Sequence, residues 1–281
     1  MKNLILVIFI FILGSVSFSQ NFESVYHNLM VDIDPETSEI NVIDSISIKG
    51  EFKNEFLLNA NLKPVSLTKN ISLVKVTEDT DAKDVGMDRD DADGESILKL
   101  NRWKIVGAAD KFVLSYKGII KYETEQSEEN YQRGFSESPG IIDNIGIYLA
   151  GSTYWIPVFE DKLVTFSLTT TLPIGWKNVT QGKRTFDGEK SDKHIDTWVC
   201  NSPQEEIYLI AAQFTEYSHD MNSGTKAMAF LRTPDEGLAN KYLEVTEQYM
   251  DMYQSMLGDY PYSKFALVEN FWETGYGMPS F

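Results

Sequence analysis

Apolar and polar residues alternate along the chain from Leu29. Leu29, Val31 and Ile33 share one face, Asp34-Pro35-Glu36-Thr37 is a turn sequence, and Ile40, Val42, Ile46 and Ile48 alternate on the return. A period of two on both sides of a turn predicts a β-hairpin with one buried face. The same reading places strands at Phe56–Leu58, Ile71–Val76, Ile97–Leu100, Phe112–Tyr116, Ile145–Leu149, Leu163–Leu172 and Ile207–Phe214. Gly, Pro, Asn and Asp fill the gaps, as turn geometry requires. Many short strands with no helical period between them predict an antiparallel sandwich or saddle-shaped sheet.

The pattern changes after Met221-Asn222-Ser223-Gly224, a linker-like turn. Ala227 to Arg232 reads as a strand. Thr233-Pro234-Asp235-Glu236 then reads as a helix start, with Thr233 as cap, Pro234 at the first helical position and Glu236 completing a capping box. Leu238, Tyr242, Val245, Tyr249, Met252 and Met256 follow at spacings of four and three. That is one apolar helical stripe, expected to pack into a core. Gly258 closes the helix and Pro261 prevents its continuation. A last strand, from Phe265 to Trp272, leads toward Gly277-Met278. One long amphipathic helix with two strands lacks partners for a core of its own. The stretch 223–281 is therefore expected to be the beginning of a larger domain, behind a β domain at 20–222.

The first residues stand apart. Met1-Lys2-Asn3 is a short basic start, Leu4 to Leu13 is unbroken and apolar, and Ser17 and Ser19 are small residues two apart. This predicts a signal peptide over 1–19 and an exported chain, periplasmic or secreted. The apolar run is too short for an ordinary membrane span, so no stable membrane anchor is expected once it is removed. Charge narrows the partners. Lys and Arg number 25 against 42 Asp and Glu, a net charge of −17. Nucleic acids and anionic membranes are bound through basic clusters, so neither is an expected partner. The one cysteine, Cys200, follows Trp198-Val199 in strand-like surroundings and is expected to be a buried, inert thiol.

Much common chemistry is missing from the pattern. The three histidines, His27, His194 and His219, lack the H-E-x-x-H spacing of a helical zinc site. Each is expected to be a surface or strand residue, and no metal ligand is assigned. Asp79 to Gly94 is rich in aspartate, but counting from Asp88 places Ala92 and Asp93 where a calcium loop needs an oxygen ligand and glycine. It reads as a solvated loop, as does the polar stretch from Glu123 to Pro139. Gly134-Phe135-Ser136-Glu137-Ser138 lacks the closing glycine of a nucleophile elbow. Glu269 and Glu273 are close enough in sequence for an acid–base pair, but carboxylates beside a turn are ordinarily solvated. No catalytic residue is assigned.

The order of parts carries a resemblance. Gly258-Asp259-Tyr260-Pro261-Tyr262-Ser263-Lys264-Phe265 follows the helix, and a strand ending in Gly277-Met278 comes next. Upstream, Gly146-Ile147-Tyr148-Leu149 precedes Trp155-Ile156-Pro157, and Trp198 leads to Ile207-Tyr208-Leu209-Ile210-Ala211-Ala212-Gln213-Phe214. This arrangement resembles the zinc aminopeptidase family of the membrane alanyl aminopeptidase type, a gluzincin family. The resemblance implies a mainly β fold: a saddle-like antiparallel β domain, then the strand–helix–strand start of a thermolysin-like α+β catalytic domain. It implies that the chain is one wall of a peptide cleft, that peptide is the substrate, and that zinc is the cofactor of the complete parent protein. The zinc ligands of the family would lie beyond Phe281, so this chain alone is expected to be inactive and to bind none.

The resemblance also implies substrate-binding residues. The family carries a G-x-M-E-N signature whose main chain holds the substrate backbone. Aligned on Met278, Tyr276 stands at its first glycine, Gly277 at its variable place, Pro279 at its glutamate and Ser280 at its asparagine. In the family that glutamate binds the substrate's free amino group. Pro279 has neither a carboxylate nor a backbone N–H. The second amine-binding residue of the family has no clear counterpart near Gly151-Ser152-Thr153. Two other readings stay open: an exported β-rich module binding glycans or proteins, with Trp103, Trp155, Trp176 and Trp198 stacking on sugars if they are exposed and not, as large aromatics mostly are, in the core, and a catalytically inactive scaffold of the same fold.

Overall fold

A computed structural model describes residues 23–76, 80–81, 98–107, 110–121, 140–160, 162–272 and 277–281. The leader at 1–19, the polar stretch 123–139, Tyr276 and all but two residues of the aspartate-rich loop lie outside them. In chain order the strands are β1 (Ser24–Asp34), β2 (Glu39–Lys49), β3 (Glu55–Asn59), β4 (Lys63–Ser66), β5 (Ser72–Lys75), β6 (Thr80–Asp81), β7 (Lys99–Val106), β8 (Lys111–Ile119) and β9 (Ile141–Ile142). Then come β10 (Ile147–Leu149), β11 (Leu163–Pro173), β12 (Lys177–Val179), β13 (Lys183–Lys190), β14 (Lys193–Gln204), β15 (Leu209–Ala212), β16 (Thr215–Asp220) and β17 (Lys226–Leu231). Helix α1 (Glu236–Leu257) and β18 (Lys264–Val268) end the order.

The fold is mainly β. A seven-stranded sheet runs β13-β14-β11-β1-β2-β8-β4, and a four-stranded sheet runs β12-β15-β10-β9. The predicted hairpin is β1–β2, in register from Ser24 opposite Lys49 to Asp34 opposite Glu39. Its turn is held by the Glu36 N–H donating to Asp34 Oδ1 at 2.9 Å. Both strands alternate buried and accessible positions. Most pairings are antiparallel, as expected, but β1 pairs with β11 and β17 with β18 in parallel.

The buried face of the large sheet supplies Leu29, Ile33, Ile40 and Phe166 to a core shared with Phe56 of β3 and Leu149 of β10. Trp155, Trp176 and Trp198 are buried, and Trp103 packs partly buried against this core. The reading of these tryptophans as exposed sugar-stacking platforms is therefore corrected: large aromatics supply core area here.

β17 joins this body to α1. Met228 and Phe230 enter a cluster with Trp198, Ile210 and Tyr148 of the β domain. Ala227, Ala229 and Leu231, on its other face, pack with Ala239, Leu243 and Met250 of α1. With β16 it makes a hairpin that spans residue 222, and β18 lies on its other side.

Two details of the helix differ from the expected ones. Asp235, not Thr233, is the cap, its Oδ1 accepting from the Leu238 N–H at 2.8 Å. Aspartate caps at least as well as threonine, and its backbone is still extended. The stripe of Leu238, Tyr242, Val245, Tyr249, Met252 and Met256 is exposed, with Met256 at 69%. The buried positions are Ala239, Leu243, Thr246 and Met250. These lie one residue on, a rotation of about 100°. The small side chains Ala227, Ala229 and Ala239 let helix and sheet approach closely, which selects that face over the bulkier one. Gly258 ends the helix as expected, its N–H donating to the Gln254 carbonyl.

The buried and exposed faces are separable by mutation. Leu243→Ala is expected to destabilise the chain by about 2–4 kcal/mol. Met256→Lys is expected to change stability by less than about 0.5 kcal/mol. Urea unfolding of the two variants ranks them, and equal losses would mean that both faces are packed.

Candidate functional site

The described end of the chain folds back onto the β domain. β18 stops at Val268, so the strand expected to reach Gly277-Met278 is shorter, and 277–281 form a turn. The correction has a local cause. The Asn270 N–H donates to the Val268 carbonyl at 2.9 Å, which curls the backbone out of the ladder. Glu269 sits at that bend and accepts from the Arg232 N–H at 2.7 Å through Oε2. That is a structural use of the carboxylate, while Glu273 lies outside the described residues.

Three hydrogen bonds fix the returning segment. The Gly182 N–H reaches the Ser280 carbonyl at 3.2 Å and the Ser280 hydroxyl at 3.1 Å. Lys264 Nζ donates to the same carbonyl at 2.7 Å. Ser280 adopts a left-handed backbone, φ 65°, which a residue with a Cβ rarely takes unless held. Phe281 is buried, edge-on to Tyr208 at 5.9 Å between ring centroids. Of the residues expected to bind substrate, Gly277 and Pro279 are exposed and Met278 packs, partly buried, against the Trp198 cluster.

Lys264 is the unusual member. It is 2% exposed. Its ammonium lies 5.2 Å from the centre of the Trp198 ring and 5.1 Å from that of Phe281. Arg184 stands over the same Trp198 ring at 5.3 Å, but forms a two-armed ion pair with Glu216. Burial removes water from the Lys264 amine, and its pKa falls to about 7 despite a small opposing effect from Cys200. Cys200 itself is buried and its thiol is pushed up by the same burial, so it is the inert thiol expected.

Pro279 and Tyr262 form one side of a cleft of about 370 Å³. The opposite side is β domain: Gln181, Glu205, Glu206 and Tyr208. Glu206 is held in place at both oxygens. It accepts from the Gly151 N–H and, at 2.6 Å, from the Tyr208 hydroxyl. A Cβ at position 151 would fall 2.5 Å from that carboxylate, so any larger residue there would displace Glu206 from this position. Gln181 locks the wall further, donating to the Glu206 carbonyl at 2.9 Å and accepting from the Tyr208 N–H at 3.0 Å. The cleft is thus acidic on its β-domain side and apolar at Pro279. Glu206 has no motif to mark it, and Lys264 ends the Tyr260-Pro261-Tyr262-Ser263-Lys264 segment, which does not mark it as a buried amine. A lysine followed by Phe265-Ala266-Leu267-Val268 is the signal that could have flagged burial.

The histidines do not converge. His27 is fully buried in β1, its Nδ1 2.8 Å from Asp44 Oδ2. His219 pairs with Glu247 at 3.0 Å near the surface. His194 is buried on β14 beside Asp196. Among the described residues no histidine lies in the cleft, and the cleft residues do not form a zinc site; no step through a metal follows from them.

No protein-family model matches the chain, and no curated protein matches it. Its fold is like that of solved M1 zinc metallopeptidases. A mutant of the enzyme from Deinococcus radiodurans superimposes with a TM-score of 0.51 at 13% identity, over 88% of this chain and 56% of that one. The same mutant bound to the substrate Tyr-Ser-Ala gives 0.54 at 12% identity, again over 88% and 56%. A two-domain M1 zinc metallopeptidase mutant bound to L-tryptophan gives 0.53 at 13%, over 89% and 57%. The chain therefore spans a little over half the length of these neighbours, matching their amino-terminal part. No helix among the described residues is long and apolar enough to cross a membrane.

The buried lysine yields a pH prediction. Its folded pKa of about 7 lies below the ordinary lysine value of 10.5, so the unfolded chain binds the extra proton between them. Stability from this group therefore rises with pH above 7 and is flat below it. Wild type minus Lys264→Met should gain about 1.4 kcal/mol per pH unit, roughly 2–3 kcal/mol between pH 7 and 9. Denaturant titrations at several pH values measure it. Parallel pH curves for the two proteins would mean that Lys264 keeps its proton in the fold.

Proposed function

We propose that the chain is the amino-terminal part of an exported zinc metallopeptidase related to the aminopeptidases, with the domain division near residue 222. The likeness to M1 zinc metallopeptidases over 88% of the chain carries this reading. The Tyr260-Pro261-Tyr262-Ser263-Lys264 segment supports it, because Lys264 physically holds the stretch that resembles the family's substrate signature. In this reading the cleft between Pro279 and the Glu205–Glu206 wall is part of the peptide groove; Pro279 lines it, and Tyr276, Gly277 and Met278 are the adjoining residues that the resemblance assigns to substrate binding. Main-chain groups at Gly277 and Met278 take hold of the substrate backbone. Zinc belongs to the complete parent protein and would supply the activated water there.

Pro279 bears on the substrate class. With no carboxylate at that place, a free amino terminus gains no ion pair from this segment. The parent is then a peptidase with weak selection for free amino termini, or a scaffold of the same fold without activity. The glycan-binding reading has no exposed tryptophan platform to support it.

Two measurements on the complete parent protein test the proposal. It is expected to hold one catalytic zinc and cleave unblocked and amino-terminally acetylated peptides at comparable rates. Absence of both zinc and peptide cleavage would sink the peptidase reading. Pro279→Glu is expected to raise the preference for unblocked peptide by roughly tenfold in kcat/KM, about 1.4 kcal/mol. An unchanged preference would remove Pro279 from the amine-binding position.

A further inference from the structure

Strands β13 and β14 form a hairpin at the edge of the seven-stranded sheet. Its turn residues Ser191 and Asp192 both have positive φ, 50° and 58°, the two-residue geometry that fixes register in a hairpin. That register sets Asp187 opposite Asp196 and Glu189 opposite His194. Like charges directly opposite one another destabilise a sheet, so Asp187 and Asp196 call for a cation between them.

The cations present do not fully meet that demand. Lys177 Nζ lies 2.8 and 3.0 Å from the two Asp187 oxygens. Arg184 is 3.6 Å from Asp187 Oδ2 and 3.9 Å from Asp196 Oδ1, outside hydrogen-bond range, because its guanidinium is turned to Glu216. Three carboxylates (Asp187, Asp196, Glu216) face two cations (Lys177, Arg184), which leaves one negative charge when the imidazole is neutral. Asp196 is fully buried, and its Oδ1 has no hydrogen-bond partner. A carboxylate left with one oxygen unpartnered at that depth is costly, and a positive charge at its other oxygen, Oδ2, would offset that cost.

The donor geometry indicates what could sit there. His194 Nε2 is 3.0 Å from Asp196 Oδ2 and 3.4 Å from Asp187 Oδ1. One ligand atom from each of the three residues falls within 4.8 Å of the others. Ligand bonds of 2.0–2.2 Å in a tetrahedron give ligand–ligand edges of about 3.3–3.6 Å. The two edges at the histidine, 3.0 and 3.4 Å, are near that without movement of the backbone. One imidazole with two carboxylates is a donor set for zinc-like ions and not for magnesium, which favours all-oxygen shells. Asp187 is 35% exposed at its side chain and leaves a route from solvent.

We propose that Asp187, His194 and Asp196 form a binding site for a zinc-like divalent ion that clasps the edge strand β13 to β14. The ion takes the place of the Nε2 hydrogen, and the imidazole hydrogen then sits on Nδ1. The site does not rest on the peptidase reading. It also departs from the sequence-based expectation that no metal is held by this chain: His194 and Asp187 have no motif spacing, and only the hairpin register brings them together.

Calorimetric titration of the 281-residue chain, prepared without a histidine tag, tests this. Zinc is expected to bind one to one at micromolar or tighter affinity, with no comparable heat from magnesium. Asp187→Asn, at an accessible position that leaves the fold in place, should weaken zinc at least tenfold. His194→Asn should weaken it at least thirtyfold and abolish the visible absorption bands of bound cobalt. No stoichiometric zinc binding overturns the proposal. So does zinc binding that Asp187→Asn leaves unchanged, because the ion would then be held by other acidic groups of the chain.

Discussion

Strand β17 has no polar face, and the arrangement of the carboxy-terminal third follows from that constraint. Met228 and Phe230 must be covered on one side and Ala227, Ala229 and Leu231 on the other. A strand apolar on both faces is stable only between two layers. The β domain supplies one layer through Trp198, Ile210 and Tyr148, and α1 supplies the other through Ala239, Leu243 and Met250. The backbone of β17 is satisfied on both edges by β16 and β18. One strand thus fixes where β18 starts, and with it the position of Lys264.

From that position the physics of a buried amine governs the end of the chain. Two aromatic rings and one carbonyl only partly offset the lost hydration of an ammonium group. The fold therefore lowers the affinity of Lys264 for its proton while keeping its N–H donors, which serve the Ser280 carbonyl in either charge state. Gly182 grips the same serine from the β domain. These bonds hold the left-handed backbone at Ser280, and Phe281 adds its apolar area against Tyr208. The turn that presents Pro279 is consequently a rigid feature of the cleft and not a loose end.

The sequence made the β architecture legible because period-two alternation encodes a one-sided strand directly: β1, β2 and β11 alternate along their length. It could not rank the two faces of α1. Leu238, Tyr242 and Val245 look more core-like by composition than Ala239 and Thr246. Which stripe is buried depends on the alanines of β17, a pairing no local pattern contains. Parallel partners such as β1 and β11 were equally hidden, since they meet across more than a hundred residues. The cleft was half legible. Pro279 stood out because a resemblance supplied its place, whereas Glu206 is defined only by its contacts to Gly151 and Tyr208.

That division has a chemical consequence. The carboxylate that the resemblance would place at residue 279 is missing, but the cleft is not short of negative charge. Glu205 and Glu206 line the wall facing Pro279. Glu206 cannot swing freely, because an N–H and an O–H hold its two oxygens and Gly151 leaves no spare volume behind it. A fixed carboxylate beside an apolar proline produces a one-sided field across the groove, stronger than the same charge in bulk water because part of its hydration is excluded. The negative charge of this cleft therefore comes from the β domain, while the carboxy-terminal turn contributes the apolar ring of Pro279.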